Sequence, residues 1–239
     1  MRNKQINIPI DFFLYLWAIG VFLLTHLVLV EINPALFGEE ISSAYRNPLY
    51  LEYRIQRDQF ATNFSAQIFY WIGTHLLLPT LQSQRIFKIL FLAFLSPLAY
   101  RFILVIHPRC SRTAALLGAV VFPLLSAVAY FGVMATEYVV DCVFGLSYLY
   151  LILRWNGPVN RTRQTWMQTL LVSLLFGWTI HFYPSSFAFL IAGLTLIAWV
   201  HLRRLYDCGF SWKALGSLLG HLLLSGGFAV WPLLYFEDS

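Results

Sequence analysis

The sequence predicts an all-α polytopic membrane protein, and three observations carry that prediction. Of the 239 residues, 59% are hydrophobic and only 11% are charged, against about 25% charged in an ordinary soluble domain. The apolar residues form continuous runs of about twenty, the length a helix needs to cross a hydrocarbon core of about 30 Å. The few charges gather in short clusters between those runs. Lipid offers no partner to a bare amide, so spanning backbone must be helical or a closed barrel. The strand alternation that marks a barrel is missing. One membrane domain over 1–239 is expected, with no stretch long enough for a separate soluble domain.

The first span is expected at 11–30. Arg2 and Lys4 precede it and put the N-terminus in the cytoplasm by the positive-inside rule. No small-residue cleavage site follows, so the run reads as an anchor and not as a signal peptide. An outer loop, 31–85, comes next. Its first part, EINPALFGEEISSAYRNPLYLEYRIQRDQ, holds five of the chain's eleven carboxylates: Glu31, Glu39, Glu40, Glu52 and Asp58. Pro34, Gly38 and Pro48 break it into pieces. The run 60–79 is long enough to span, but Thr62, Asn63, Ser65, Gln67, Thr74 and His75 dilute it. We place it in the interface as a juxtamembrane helix.

Six further spans then follow at 86–106, 113–135, 138–153, 166–182, 187–202 and 214–234, making seven, with the C-terminus outside. The inner loops carry Arg109 and Arg112, then Arg154, Arg161 and Arg163, then Arg203, Arg204 and Lys213. Were 60–79 to cross, every one of these clusters would face outward, against the rule. The net charge of +5 therefore orients helices and does not announce a nucleic-acid partner. Cys110, Cys142 and Cys208 cannot close a set of disulfides and show no zinc spacing. Pro97, Pro123, Pro184 and Pro232 lie in or beside apolar helices, as kinks or ends that bundles tolerate.

Four groups of residues bear candidate chemistry. Glu39 and Glu40 stand shortly after the first span, where partial burial can raise a carboxylate toward neutrality and make it a general base; the plainer alternative is a solvated loop start. Glu137 and Asp141 open the fourth span, and a continuous helix there sets them i, i+4 on one face. An acid a turn below the surface is costly unless paired or wet. Asp141 reads either as a metal ligand, an arginine partner or a cavity liner, or as a structural hydrogen bond to a neighbouring helix. Arg46, Arg54, Arg57 and Arg85 suit phosphate oxygens, while headgroup anchoring is the alternative for Arg85 and its neighbour Lys88. His181, at the outer edge of its span, is placed to join the acidic site. Arg101, a turn from the inner end of the second span, is expected to snorkel. Histidines at unmatched depths argue against haem. A transporter is disfavoured because broken, Gly/Pro-interrupted span pairs are not evident.

The order of these features resembles the membrane module of the GT-C glycosyltransferases, the class that includes protein mannosyltransferases and aminoarabinose transferases. The residues carrying the likeness are FGEE at 37–40, the amphipathic stretch 45–79, and MATEYVVDCVFGLSYLYLILRW at 134–155. The resemblance implies seven spans with juxtamembrane helices after the first. It implies sugar transfer from a polyprenyl-phosphate donor at the non-cytoplasmic face, with Glu39 or Glu40 as catalytic base. Glu137 and Asp141 would contribute to a divalent-metal or donor-phosphate site, and the loop arginines would hold the phosphate. Such enzymes usually continue past seven spans, and this chain stops at Ser239. The alternative is therefore a non-catalytic GT-C-like subunit that docks partner membrane proteins.

Overall fold

The computed structural model describes residues 9–32, 64–77, 80–134, 139–154, 162–181, 186–208 and 212–236, and among these every element is a helix. The expected pairs Glu39–Glu40 and Arg54–Arg57, together with Arg46 and Glu137, lie outside the described residues.

Helix α1 (Ile10–Ile32) starts where Pro9 leaves off, its carbonyl accepting from the Phe12 and Phe13 amides at 2.9 and 3.3 Å. Leu14, Ala18, Phe22 and His26 are buried. Their four-residue spacing makes one inward ridge, while Phe13, Leu24 and Leu27 stay exposed. Helix α2 (Phe64–Leu76) has 13 residues, about 20 Å of rise, too short to cross about 30 Å of hydrocarbon.

Helices α3 (Leu81–Leu92) and α4 (Leu95–Ile106) together form the apolar stretch Gln82–Ile106. The join at Ala93–Phe94 has a covalent cause: Pro97 has no amide hydrogen and its ring crowds the carbonyl four residues back. Helix α5 (Arg112–Val121), a 3-10 turn (Phe122–Leu124) and α6 (Ser126–Val133) form a second broken unit, bent by 52°. Pro123 sits in the break. The remaining helices are α7 (Val140–Arg154), α8 (Thr162–Ile180), α9 (Ser186–Cys208) and α10 (Trp212–Phe236).

Among the described residues two stretches, Ile10–Leu29 and Gln82–Ile106, are long and apolar enough to cross a membrane, or three if the bent pair counts as one crossing. Shorter apolar stretches occupy Met167–Ile180, Ala188–Trp199 and Leu218–Phe228. The helical membrane character expected from composition is thus present. The absence of broken spans, used above to disfavour transport, is corrected: α5–α6 is bent at a break that holds Pro123, while α3–α4, though interrupted at Ala93–Phe94, remains one stretch.

Breaking a helix frees carbonyls, and in lipid these must be re-bonded. Neighbouring side chains do it. Pro123 cannot reach Ala119, whose carbonyl accepts from Ser96 Oγ on α4 at 2.7 Å. The next carbonyl, Val120, accepts from Trp17 Nε1 on α1 at 3.0 Å. At the α3–α4 join the Phe94 amide bonds to Phe91, three residues back. The Leu90 carbonyl, thereby skipped, accepts from Tyr15 Oη at 2.9 Å.

The helices alternate in direction. His26 near the end of α1 meets Gln82 at the start of α3 (2.9 Å), and Asp11 at the start of α1 meets Arg101 near the end of α4. Helix α1 is therefore antiparallel to α3–α4. Glycines let later helices approach closely. A Cβ on Gly145 or Gly193 of α7 and α9 would strike Phe189 and Tyr148, and one on Gly177 of α8 would lie 2.5 Å from Phe228 of α10. These registers make α7 parallel to α9 and α8 parallel to α10. The main core lies among α1, α2, α3, α6 and α7, around Phe22, Tyr70, Ile89, Leu92 and Val140.

Candidate functional site

Chemistry-bearing side chains collect at the end of the bundle where α1 and α6 finish and α3 and α7 begin. Helix α3 is started by Thr80, which has an extended backbone and whose Oγ1 accepts from the Ser83 amide at 3.1 Å. That start sets Gln84, Arg85 and Lys88 in the first two turns, and all three are buried. Gln84 and Lys88, four apart, share one face.

Lys88 is 0% exposed. Its Nζ donates to the carbonyls of Phe131 and Met134 at 2.6 and 2.7 Å. These belong to the last turn of α6 and the residue after it, where carbonyls have no intrahelical amide to accept from. A cation there also meets the negative end of the helix dipole. Burying an ammonium without such partners would cost many kcal/mol.

Asp141 is 2% exposed in the first turn of α7, the position where an acid complements the positive end of a helix. Its helix begins abruptly. Val139 takes φ 70°, a left-handed backbone that a β-branched residue rarely adopts, and its carbonyl then accepts from the Cys142 amide at 3.0 Å. The regular helix starts at Val140, directly after the left-handed residue; the expected pairing of Asp141 with Glu137 falls on a residue outside the described ones. The Asp141 carboxylate and the Lys88 ammonium both lie within electrostatic reach of the Cys142 thiol, so the two opposite charges occupy one neighbourhood.

Around this pair stand further polar groups. His26 Nε2 and Gln82 Nε2 are 2.9 Å apart, with His26 buried. The amide of Gln84 is buried with neither its oxygen nor its nitrogen paired among the described residues. It presses on Gly73 of α2, where a Cβ would come within 2.6 Å of Gln84 Oε1. The His181 carbonyl, at the end of α8, accepts from the Ser65 amide at 3.1 Å, which ties the start of α2 to the end of α8.

Of the expected site residues, then, Arg85 and Asp141 lie at the same end of the bundle in its interior, and His181 stands at the end of α8. Headgroup anchoring by Arg85 and Lys88 is corrected, because both side chains are buried among helices. Lys88, Gln84, His26 and Gln82 were not singled out as a group by sequence reasoning. The signal was present in QSQRIFK at 82–88: polar side chains at 84, 85 and 88 in a run otherwise suited to lipid. Among the described residues no group of three or more His, Cys, Asp or Glu is placed to hold a metal ion.

A second polar contact lies between α8 and α10. His221 is buried, with Nδ1 3.1 Å from Ser173 Oγ and Nε2 3.4 Å from Ser225 Oγ. It joins two helices inside the apolar layer.

Comparison of the chain with family models, curated proteins and solved structures finds no match.

Proposed function

We propose that the chain is a seven-crossing membrane glycosyltransferase of GT-C type. In this reading it moves a sugar from a polyprenyl-phosphate donor at the non-cytoplasmic face. The observation that carries the reading is the buried Lys88 of α3 in one neighbourhood with the buried Asp141 of α7, with Arg85 buried one turn earlier on α3. This happens at the end of the bundle where α1 ends and α3 begins. Buried cations at that point favour a phosphate leaving group, which needs fixed positive charge as it departs. The unpaired Gln84 amide adds a donor and an acceptor for a polar headgroup or water.

The seven crossings take α1, α3–α4, α5–α6, α7, α8, α9 and α10 in turn. The antiparallel pairing of α1 with α3–α4, and the parallel registers of α7 with α9 and α8 with α10, support that alternation. The N-terminus is then cytoplasmic and the C-terminus outside. Glu39 or Glu40 acts as the base on the acceptor, Arg46, Arg54 and Arg57 steer the donor phosphate, and Glu137 with Asp141 supplies the second acidic site. His181 borders it.

The test is transfer of labelled sugar from a polyprenyl-phosphate donor by the protein in proteoliposomes. Glu39→Gln or Glu40→Gln should abolish transfer, and Asp141→Asn should lower it at least about tenfold, the scale of a lost charged contact in a buried site. Wild-type rates in both glutamine variants remove the catalytic assignment. The broken α5–α6 unit, whose last carbonyls meet the buried Lys88 ammonium, favours a second reading, a transporter with an interrupted helix at a buried cation. Solute uptake into the same proteoliposomes, lost on Lys88→Met while sugar transfer is absent throughout, would select it.

A further inference from the structure

We infer that the opposite end of the bundle holds a binding groove for one anionic phospholipid of the adjoining leaflet, with its acyl chain between α3–α4 and α7. A cleft of about 500 Å³ runs along that side of the protein, within the range that takes a drug-sized ligand. Its wall is apolar for most of its length: Phe91, Phe94 and Leu98 from one side, Val143, Phe144 and Leu175 from the other. Phe94, at the break forced by Pro97, is 52% exposed. An exposed aromatic lining inside a membrane protein is a surface for hydrocarbon.

One end of the cleft is different. Asp11, Arg101 and Tyr150 line it. Arg101 Nε donates to Asp11 Oδ1 at 3.0 Å, and its Nη2 donates to Oδ2. The guanidinium keeps further N–H groups, since five donors are available, and the Arg101 side chain is 55% exposed. Arg154, one turn beyond Tyr150, donates from Nη1 to Tyr150 Oη at 3.1 Å and stands 5.9 Å over its ring. Two arginines against one aspartate leave a positive mouth with exposed forked donors, the chemistry that takes a phosphodiester.

Length fits charge. Phe91 to Arg101 is ten positions, about 15 Å of helix rise, which is half of a hydrocarbon core of about 30 Å. A chain laid in the groove from mid-membrane outward therefore delivers its phosphate at the depth of Arg101 and Arg154. The opposite-end site at Lys88 and Asp141 plays no part in this, so the inference stands or falls apart from the proposed enzymatic function.

The experiment is native mass spectrometry of the full chain in detergent, titrated with phosphatidylglycerol and, separately, phosphatidylcholine. The wild type should retain a single phosphatidylglycerol about fivefold more strongly, the weight of one basic side chain near an anionic headgroup. Arg154→Gln, on the exposed end of α7, should fold normally and bring the two lipids level. Ser147→Trp, which fills the groove midway, should release both. Inorganic phosphate in excess should leave the lipid adduct intact. Equal retention of the two lipids by the wild type overturns the inference. So does an unchanged preference in Arg154→Gln, competition by inorganic phosphate, or a dimer in place of the lipid adduct.

Discussion

If proline forces the bend between α5 and α6, the hydrogen bond from Ser96 should matter only because Pro123 is there. Ser96 and Ala119 are both 0% exposed, and Ser96 Oγ lies 2.7 Å from the Ala119 carbonyl. In an unbroken helix that carbonyl would accept from residue 123. Ser96→Ala leaves a buried carbonyl unpaired, which costs about 1–3 kcal/mol. Interhelical hydrogen bonds in membranes average nearer 0.6 kcal/mol, because the unfolded chain also finds partners, so about 1 kcal/mol is the expected loss. Pro123→Ala restores an amide at 123. In that background the carbonyl has a backbone donor, and Ser96→Ala should cost almost nothing. The assay is reversible unfolding in mixed micelles of rising denaturing-detergent fraction, run on the wild type, both single variants and the double variant. A coupling of about 1 kcal/mol between the two sites is expected. Equal cost of Ser96→Ala in both backgrounds, or no cost in either, would refute the account of how the broken helix is held.

The same logic applies at the other breaks. Lys88→Met removes the donor to two carbonyls of α6, at about 1–3 kcal/mol each, and should lower unfolding free energy in the same micelle assay by about 2–6 kcal/mol in total. Unchanged stability would mean that those carbonyls are bonded otherwise. Gly193→Ala places a methyl against Tyr148 and should cost about 1–3 kcal/mol by overpacking, whereas Gly216→Ala, which meets nothing within 4 Å, should not; equal effects would argue against the close α7–α9 contact. Ser173→Ala should weaken the α8–α10 pairing by about 0.6 kcal/mol, read as faster proteolysis at the 209–211 connection, and no change there would make the His221 contact incidental.

Much of the fold was legible in the sequence. The helices α1, α3–α4, α5–α6, α7, α8, α9 and α10 overlie the seven apolar runs, and the run around Ile72 forms a 13-residue helix among the described residues. Pro97 and Pro123 were legible as sites of kinks or ends, because a missing amide is a covalent fact. What they did together was not. The sequence shows a proline at 123 but not the serine at 96 that repairs the damage, and nothing in it marks Trp17 and Tyr15, whose polar atoms bond carbonyls of other helices. The site was half legible. Asp141 was marked by the cost of an acid inside an apolar run. Lys88 sat near the end of its run, where a snorkelling cation and a buried one look alike. Val139, a β-branched residue with a left-handed backbone just before α7, carried no mark in the sequence.

The amino-acid order by itself determined that this protein is helical and membrane-like, since hydrophobic length and the need to bond every amide in lipid are properties of each segment alone. Tertiary structure alone decided where the charges went. The fate of Lys88 depends on carbonyls 43 and 46 residues away, and that of Arg101 on an aspartate 90 residues earlier. Whether a cation faces headgroups or an interior acceptor turns on which broken helix end packs beside it, a relation between segments that no single segment encodes.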